Sequence, residues 1–260
     1  MPNNGGQVME HAGKHALITG GGTGIGEGIA LALAHAGAEV TITGRRADQL
    51  ARVAASSPRL HALVMDVDDE ASVRDGIAAA AAVRGPIQIC VANAGIAEGG
   101  PFEKTSLADW RRTMTTNLDG VFLTFQAALA TLAPEDTGRM IVISSIAGVR
   151  GLKNAIPYTV TKHGVIGLIR GLSEEFMRRP ITFNALCPGY VDTAIVRNQL
   201  PGLITRFGVD EQGAIDMVAK GNRHRRLLAV DETTGAAMWL CSDAARSVNG
   251  QTIQISGGQV

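Results

Sequence analysis

Apolar positions along this chain follow two alternating patterns. Short, nearly unbroken apolar runs are separated by longer stretches in which apolar residues recur every three or four positions. The first pattern marks strands covered on both faces, and the second marks helices with one buried stripe. Predicted strands are His15–Thr19, Val40–Thr43, His61–Met65, Ile87–Ala92, Met140–Ser144, Thr182–Cys187 and Thr252–Ile255. Predicted helices are Gly24–His35, Ala47–Ala55, Asp69–Val83, Leu107–Leu132, Pro157–Arg178 and Glu232–Ser242. Asp68 and Ser106 suit the caps of the third and fourth helices, and Pro157 sits where a first-turn proline is tolerated.

Strand–helix alternation from end to end implies an α/β fold: a doubly wound parallel sheet, helices on both faces, right-handed crossovers. No linker, repeat or composition shift divides the chain. The expectation is one domain over residues 13–260, preceded by a flexible polar tail at 1–12. Residues 190–226 read as an irregular substrate loop, carrying Pro201, Gly202, Gly208 and Gly213. Its basic end, Arg223 to Arg226, reads as a solvated patch.

Composition narrows the class. Lys and Arg total 24 against 24 Asp and Glu, which argues against a nucleic-acid binder. Cys90, Cys187 and Cys241 lie far apart, so reduced thiols are expected, and the six histidines lack metal-ligand spacing. The amino terminus carries no apolar signal-peptide region, and no apolar run approaches the ~18 residues of a membrane span. A cytoplasmic protein with no metal and no membrane partner is expected. Glycine is abundant, at 32 residues, which suits tight turns and close backbone approaches to a ligand.

Those glycines cluster where chemistry is expected. Thr19–Gly26 reads T-G-G-G-T-G-I-G, between the first strand and the first helix. There Gly20, Thr23, Gly24, Ile25 and Gly26 can bring backbone N–H groups and a helix N-terminus to a pyrophosphate, although a plain turn would use the same residues. The second strand ends Gly44-Arg45, where an NAD site would want an acid. A guanidinium pairs well with a 2′-phosphate, so NADP is favoured over NAD, with a surface arginine as the bland alternative. Asp66 and its neighbour Val67 end the third strand, and Asn93-Ala94-Gly95 ends the fourth, at the carboxyl edge where open α/β sheets bind ligands.

Ser145 follows the fifth strand, and Tyr158 and Lys162 stand four apart on the next helix, on one face. A neighbouring ammonium favours a phenolate, and a strand-end hydroxyl can hold a carbonyl against the phenol.

With these motifs in order, the chain resembles the short-chain dehydrogenase/reductase family from about Gly13 to Gly258. The resemblance rests on Thr19–Gly26, Asn93–Gly95, Asn117, Ser145, Tyr158, Lys162, Pro188-Gly189, Val191 and Thr193. It implies a Rossmann-like seven-stranded sheet and a homotetramer built through Leu107–Leu132 and Pro157–Arg178. In such a protein Tyr158 exchanges the proton with a carbonyl or alcohol, and Ser145 orients the substrate oxygen. Lys162 bonds the nicotinamide ribose and lowers the Tyr158 pKa, and Asn117 anchors a relay water. Pro188, Gly189, Val191 and Thr193 hold the carboxamide.

Substrate walls are expected from Ile96–Glu98, Ile146–Asn154, Tyr190 and 195–226, with Arg150 at the rim. Gln199 matches 3-hydroxybutyrate dehydrogenases, but Ala97, Ala147 and Ala155 replace their other polar carboxylate partners. A ketoacyl-type substrate therefore fits better than a free hydroxy acid. A non-catalytic dinucleotide sensor is the alternative of another class, disfavoured by the intact Asn117, Ser145, Tyr158 and Lys162 set.

Overall fold

A computed structural model describes residues 9–258 of the chain. Seven parallel strands form one sheet in the order β3-β2-β1-β4-β5-β6-β7. They are β1 (His15–Thr19), β2 (Glu39–Gly44), β3 (Leu60–Val64), β4 (Ile87–Ala92), β5 (Gly138–Ile143), β6 (Ile181–Pro188) and β7 (Thr252–Ile255). Every predicted strand is present, with ends moved by at most two residues.

Successive residues of each central strand point to opposite faces, so each strand feeds two cores. Ile18, Val91, Ile141 and Leu186 pack on one face with Ile29 and Leu33 of helix α1 (Gly24–His35) and Leu240 of α10 (Val230–Cys241). Leu50 and Val53 of α2 (Ala47–Ala54) complete that layer. Leu17, Cys90, Met140 and Phe183 pack on the other face against α3 (Glu70–Arg84), α5 (Gly120–Leu129) and α6 (Ile156–Glu175). There Phe125 meets Phe183 edge-on, at 6.5 Å between ring centres.

Four expectations are corrected. Leu107–Leu132 is not one helix. Helix α4 (Leu107–Met114) ends in a wide π-turn over Thr115–Asp119 before α5 begins. Asp69, not Asp68, caps α3, accepting from the Ala71 and Ser72 amides. Asp68 instead accepts from the Thr116 hydroxyl at 3.1 Å.

The 190–226 segment is not irregular. It carries α7 (Ala194–Arg197), α8 (Leu200–Phe207) and α9 (Glu211–Ala219), folded on a small core of Val196, Leu200, Ala214 and Val218. The expected tail at 1–12 lies mostly outside the described residues. Where it is described it packs on the body: His11 is fully buried and its amide donates to the Ala36 carbonyl.

The chain leaves β1 for β2 and β3 on one side, then returns to β4 on the other. Loops after β1 and β4 therefore diverge at the carboxyl edge and open a crevice between them. The Ser106 cap is as expected, in a reciprocal box with Asp109 that fixes the start of α4 beside that crevice.

Candidate active site

The crevice is laced together by the two motifs that border it. Thr19 Oγ1 accepts from the Asn93 and Ala94 amides, each at 3.0 Å, and Asn93 Nδ2 donates to the Thr19 and Gly20 carbonyls. Gly20 and Gly24 hold φ of 65° and 58°, left-handed values that a side chain would strain. A Cβ on Gly26 would lie 2.5 Å from both the Gly20 carbonyl oxygen and Asn93 Nδ2. Gly26 does not line the crevice, as the sequence suggested; it lets α1 pass directly beneath the turn.

Above this base lies a cleft of about 370 Å³, walled by Gly20, Thr23, Gly24, Ile25, Asn93, Ala94, Gly95 and Thr193. Its far end holds Arg45, Asp66 and Val67. Arg45 Nη1 lies 4.0 Å from both Asp66 Oδ2 and Asp68 Oδ2. Thr43 Oγ1, Gln49 Oε1 and Asp68 Oδ1 are buried on that wall without a hydrogen-bond partner. Buried acceptors left unmatched are costly, so this wall is built to receive donors such as ribose hydroxyls or an adenine amine.

A second cleft of about 890 Å³ continues from the first through Asn93, Gly95, Ile96 and Thr193. Ser145, Tyr158 and Lys162 form part of its wall. Ser145 Oγ accepts from the Ala147 amide at 3.1 Å and hydrogen-bonds the Tyr158 phenol. Lys162 Nζ donates to the Ile143 carbonyl at 2.8 Å and lies 5.5 Å from the Tyr158 ring centre. Its own backbone carbonyl accepts from Ser144 Oγ at 3.0 Å, tying α6 to the end of β5.

A nucleotide-sized cleft at the switch point thus runs into a larger one walled by Ser145, Tyr158 and Lys162, and the short chain dehydrogenase family model matches residues 14–203. The chain belongs to the short-chain dehydrogenases. Gluconate 5-dehydrogenase of Gluconobacter oxydans (strain 621H) is 35% identical, covering 95% of this chain and 94% of its own. Acetoacetyl-CoA reductase of Rhizobium meliloti (strain 1021) is 33% identical over 94% of this chain and 97% of its own. Among solved structures, a variant of actinorhodin polyketide ketoreductase with NADPH superposes at a TM-score of 0.89. It is 28% identical and covers 95% of this chain and 97% of its own.

In this short-chain dehydrogenase, burial shifts the titratable groups of the larger cleft. It pushes the Tyr158 phenol up, a rise only partly offset by the Ser145 bond. The same effect lowers the Lys162 ammonium to about 8. This order differs from the expectation that Lys162 would lower Tyr158: the cation bonds the Ile143 carbonyl, and desolvation of the phenol dominates.

Asn117 lies in the π-turn, fully buried. Its side chain accepts from the Ile96 amide and donates to the Ile96 carbonyl, both at 2.8 Å, and reaches Thr161 Oγ1 at 3.3 Å. That side chain clamps the loop after β4, which leaves no donor or acceptor of its amide obviously idle.

Pro188, Gly189, Tyr190 and Val191 line the second cleft. Gln199 is on its wall, but its amide donates to the Ile195 carbonyl at 2.9 Å. Arg150 does not reach the wall.

Sequence reasoning missed Asn222. It is fully buried and brackets Tyr190, accepting from its amide and donating to its carbonyl, both at 2.9 Å. No motif surrounds it. Gly148 was also missed: a Cβ there would lie 2.5 Å from Ser144 Oγ and 2.6 Å from the Lys162 carbonyl.

Proposed function

We propose that this chain is an NADP(H)-dependent oxidoreductase interconverting a ketoacyl-type ketone and its secondary alcohol. The carrying observation is that Ser145, Tyr158 and Lys162 stand on one wall of a large cleft continuous with the dinucleotide-sized one. The bound nicotinamide supplies or accepts the hydride. Tyr158 gives its phenolic proton to the carbonyl oxygen, and Ser145 holds that oxygen against it. Lys162 turns from the Ile143 carbonyl to the ribose hydroxyls and then stabilises the phenolate. Asn117, its side chain committed to clamping Ile96, anchors the relay water beside Lys162.

Gly20, Thr23, Gly24 and Ile25 present backbone to the pyrophosphate, with Gly26 supporting them from below. Arg45 takes the 2′-phosphate, Asp66 and Val67 receive the adenine, and Asn93, Ala94 and Gly95 line the ribose. Pro188, Gly189, Val191 and Thr193 hold the carboxamide, and Ile96, Tyr190 and Gln199 contact the substrate. One domain carries both clefts, and the chain works as a cytoplasmic homotetramer. A relative named for acetoacetyl-CoA reduction supports the ketoacyl class, and one named for gluconate supports a smaller polar alcohol.

A second reading, NAD with a small alcohol, draws on the Asp66 and Asp68 carboxylates beside Arg45 and the unmatched Thr43 and Gln49 oxygens. The test is a screen of ketones and alcohols with both cofactors, followed by nicotinamide absorbance, with Tyr158→Phe as control. Tyr158→Phe should lose turnover and keep dinucleotide affinity; substantial turnover by it on a well-reduced ketone would sink the assignment.

A further inference from the structure

We infer that Lys153 and Arg206 recognise an oxyanion, carboxylate or phosphate, carried by the substrate away from its reacting carbonyl. The inference rests on the oxidoreductase reading and narrows its substrate class. Four charged residues line the larger cleft: Glu98, Lys153, Lys162 and Arg206. Glu98 is bonded by the Arg112 guanidinium, and Lys162 is held on the Ile143 carbonyl. That leaves Lys153 and Arg206, for which no carboxylate lies within ion-pairing distance among the described residues.

Two other arginines nearby are paired. On the same 190–226 segment, Arg197 is held by Asp192 at 2.6 Å and Arg226 by Glu232 at 2.8 Å. Lys153 and Arg206 are both exposed side chains that line the same cleft, so their charges face one shared space. Most of the surrounding wall is apolar, including Leu152, Val196 and Leu203.

Both cations are presented by ordered parts. Asn154, next to Lys153, adopts a left-handed φ of 59°, and its carbonyl accepts from the Gly100 amide at 2.8 Å. A Cβ on Gly99 would lie 2.7 Å from that same oxygen, so the turn sits tightly on the Gly99–Gly100 strip. Arg206 lies in the last turn of α8 with its guanidinium 5.2 Å from the Phe207 ring centre. Stacked in this way, it keeps its N–H edges for a planar acid.

The test uses matched pairs reduced with NADPH: acetoacetate against ethyl acetoacetate, and acetoacetyl-CoA against its neutral N-acetylcysteamine thioester. In Lys153→Met and Arg206→Gln, the KM ratio of charged to neutral member should rise about tenfold or more. Lys153→Arg and Arg206→Lys should restore most of it. A rise confined to the acetoacetate pair assigns a carboxylate, and one confined to the CoA pair assigns a phosphate.

Equal changes for both members of each pair, or no charge preference in the unmodified enzyme, overturns the inference and leaves the oxidoreductase reading standing. If no ketone is reduced at all, that reading fails, and calorimetric titration with acetoacetate and with coenzyme A decides the cation site. Binding lost in the double variant supports it; binding absent, or equal in both proteins, overturns it.

Discussion

Replacing Gly26 by alanine tests how the dinucleotide turn is built. The added Cβ would meet the Gly20 carbonyl and Asn93 Nδ2 at 2.5 Å, where ordinary contact begins near 3.4 Å. Something must move by roughly 0.9 Å, the difference between those two distances. Neither neighbour is a free side-chain end: Gly20 is backbone, and Asn93 Nδ2 is bonded to two carbonyls. Overpacking of this kind costs ~1–3 kcal/mol, offset by up to ~1 kcal/mol because alanine favours helix over glycine.

The turn that gives way is the one facing the pyrophosphate, so the net cost should appear largely as lost cofactor affinity, about two- to thirtyfold. Melting should fall by about 2–8 °C. Gly22→Ala is the internal control. Its Cβ would meet Gln49 at 3.4 Å and Leu50 at 3.6 Å, ordinary contacts, so affinity should hardly change. Fluorescence titration with NADPH and a thermal melt measure both variants. Wild-type behaviour of Gly26→Ala, or an equal loss in Gly22→Ala, refutes the argument.

Cofactor choice should favour NADPH by about tenfold, the low end for a charge-assisted contact, because Arg45 is exposed and shares its charge with Asp66 and Asp68. Gly44→Asp with Arg45→Ala should reverse it; equal or tighter NADH binding by the unmodified protein would establish the NAD reading instead. Ketone reduction should be flat in pH up to about 8, where Lys162 loses its proton, and decline above, whereas alcohol oxidation should climb with pH as the raised Tyr158 ionises. Burial lowers His11 below 6.5, so the unfolded chain binds the extra proton and stability falls as pH drops from about 6.5 towards the folded pKa. Melts between about pH 7.5 and 5.5 should show a smaller drop in His11→Leu than in the unmodified protein. Light scattering at micromolar concentration should give a tetramer, through the exposed Phe122 and Val160 of α5 and α6; a 27.1 kDa particle would exclude it.

The sheet was legible chiefly because its inner strands are buried on both faces, which leaves nearly unbroken apolar runs such as those of β1, β4 and β5. The π-turn was not. Apolar spacing continues through Thr115–Asp119, and one extra residue in a helical turn leaves no periodic break to read. The three helices of 190–226 are short, and Pro201 and Gly208 look like breakers in sequence. In the structure Pro201 lies in the first turn of α8 and Gly208, at φ 64°, caps its end.

The glycine-turn residues Gly20, Thr23, Gly24 and Ile25 and the Asn93–Gly95 run do share the wall of one cleft. Side-chain partners distant in sequence were the ones missed. Asn222 brackets Tyr190 from 32 positions away, and the carboxylates beside Arg45 come from the end of β3.

The Tyr158 environment bears on which direction of the reaction the site favours. A phenol lowered towards neutrality would serve alcohol oxidation, because the base must already be ionised to accept a proton. Here burial raises it, and the Ser145 bond gives back only part of that shift. At neutral pH the phenol therefore stays protonated, which is the state that donates to a carbonyl. Lys162, charged below about 8, then lies within 5.5 Å of the ring to stabilise the phenolate as it forms, after the proton has left. Stabilisation that grows along the reaction lowers the barrier, whereas a permanently depressed pKa would hold the acid partly ionised before it was needed. On the proposed oxidoreductase reading, a ketone is the partner that the resting protonation state of Tyr158 and Lys162 would meet.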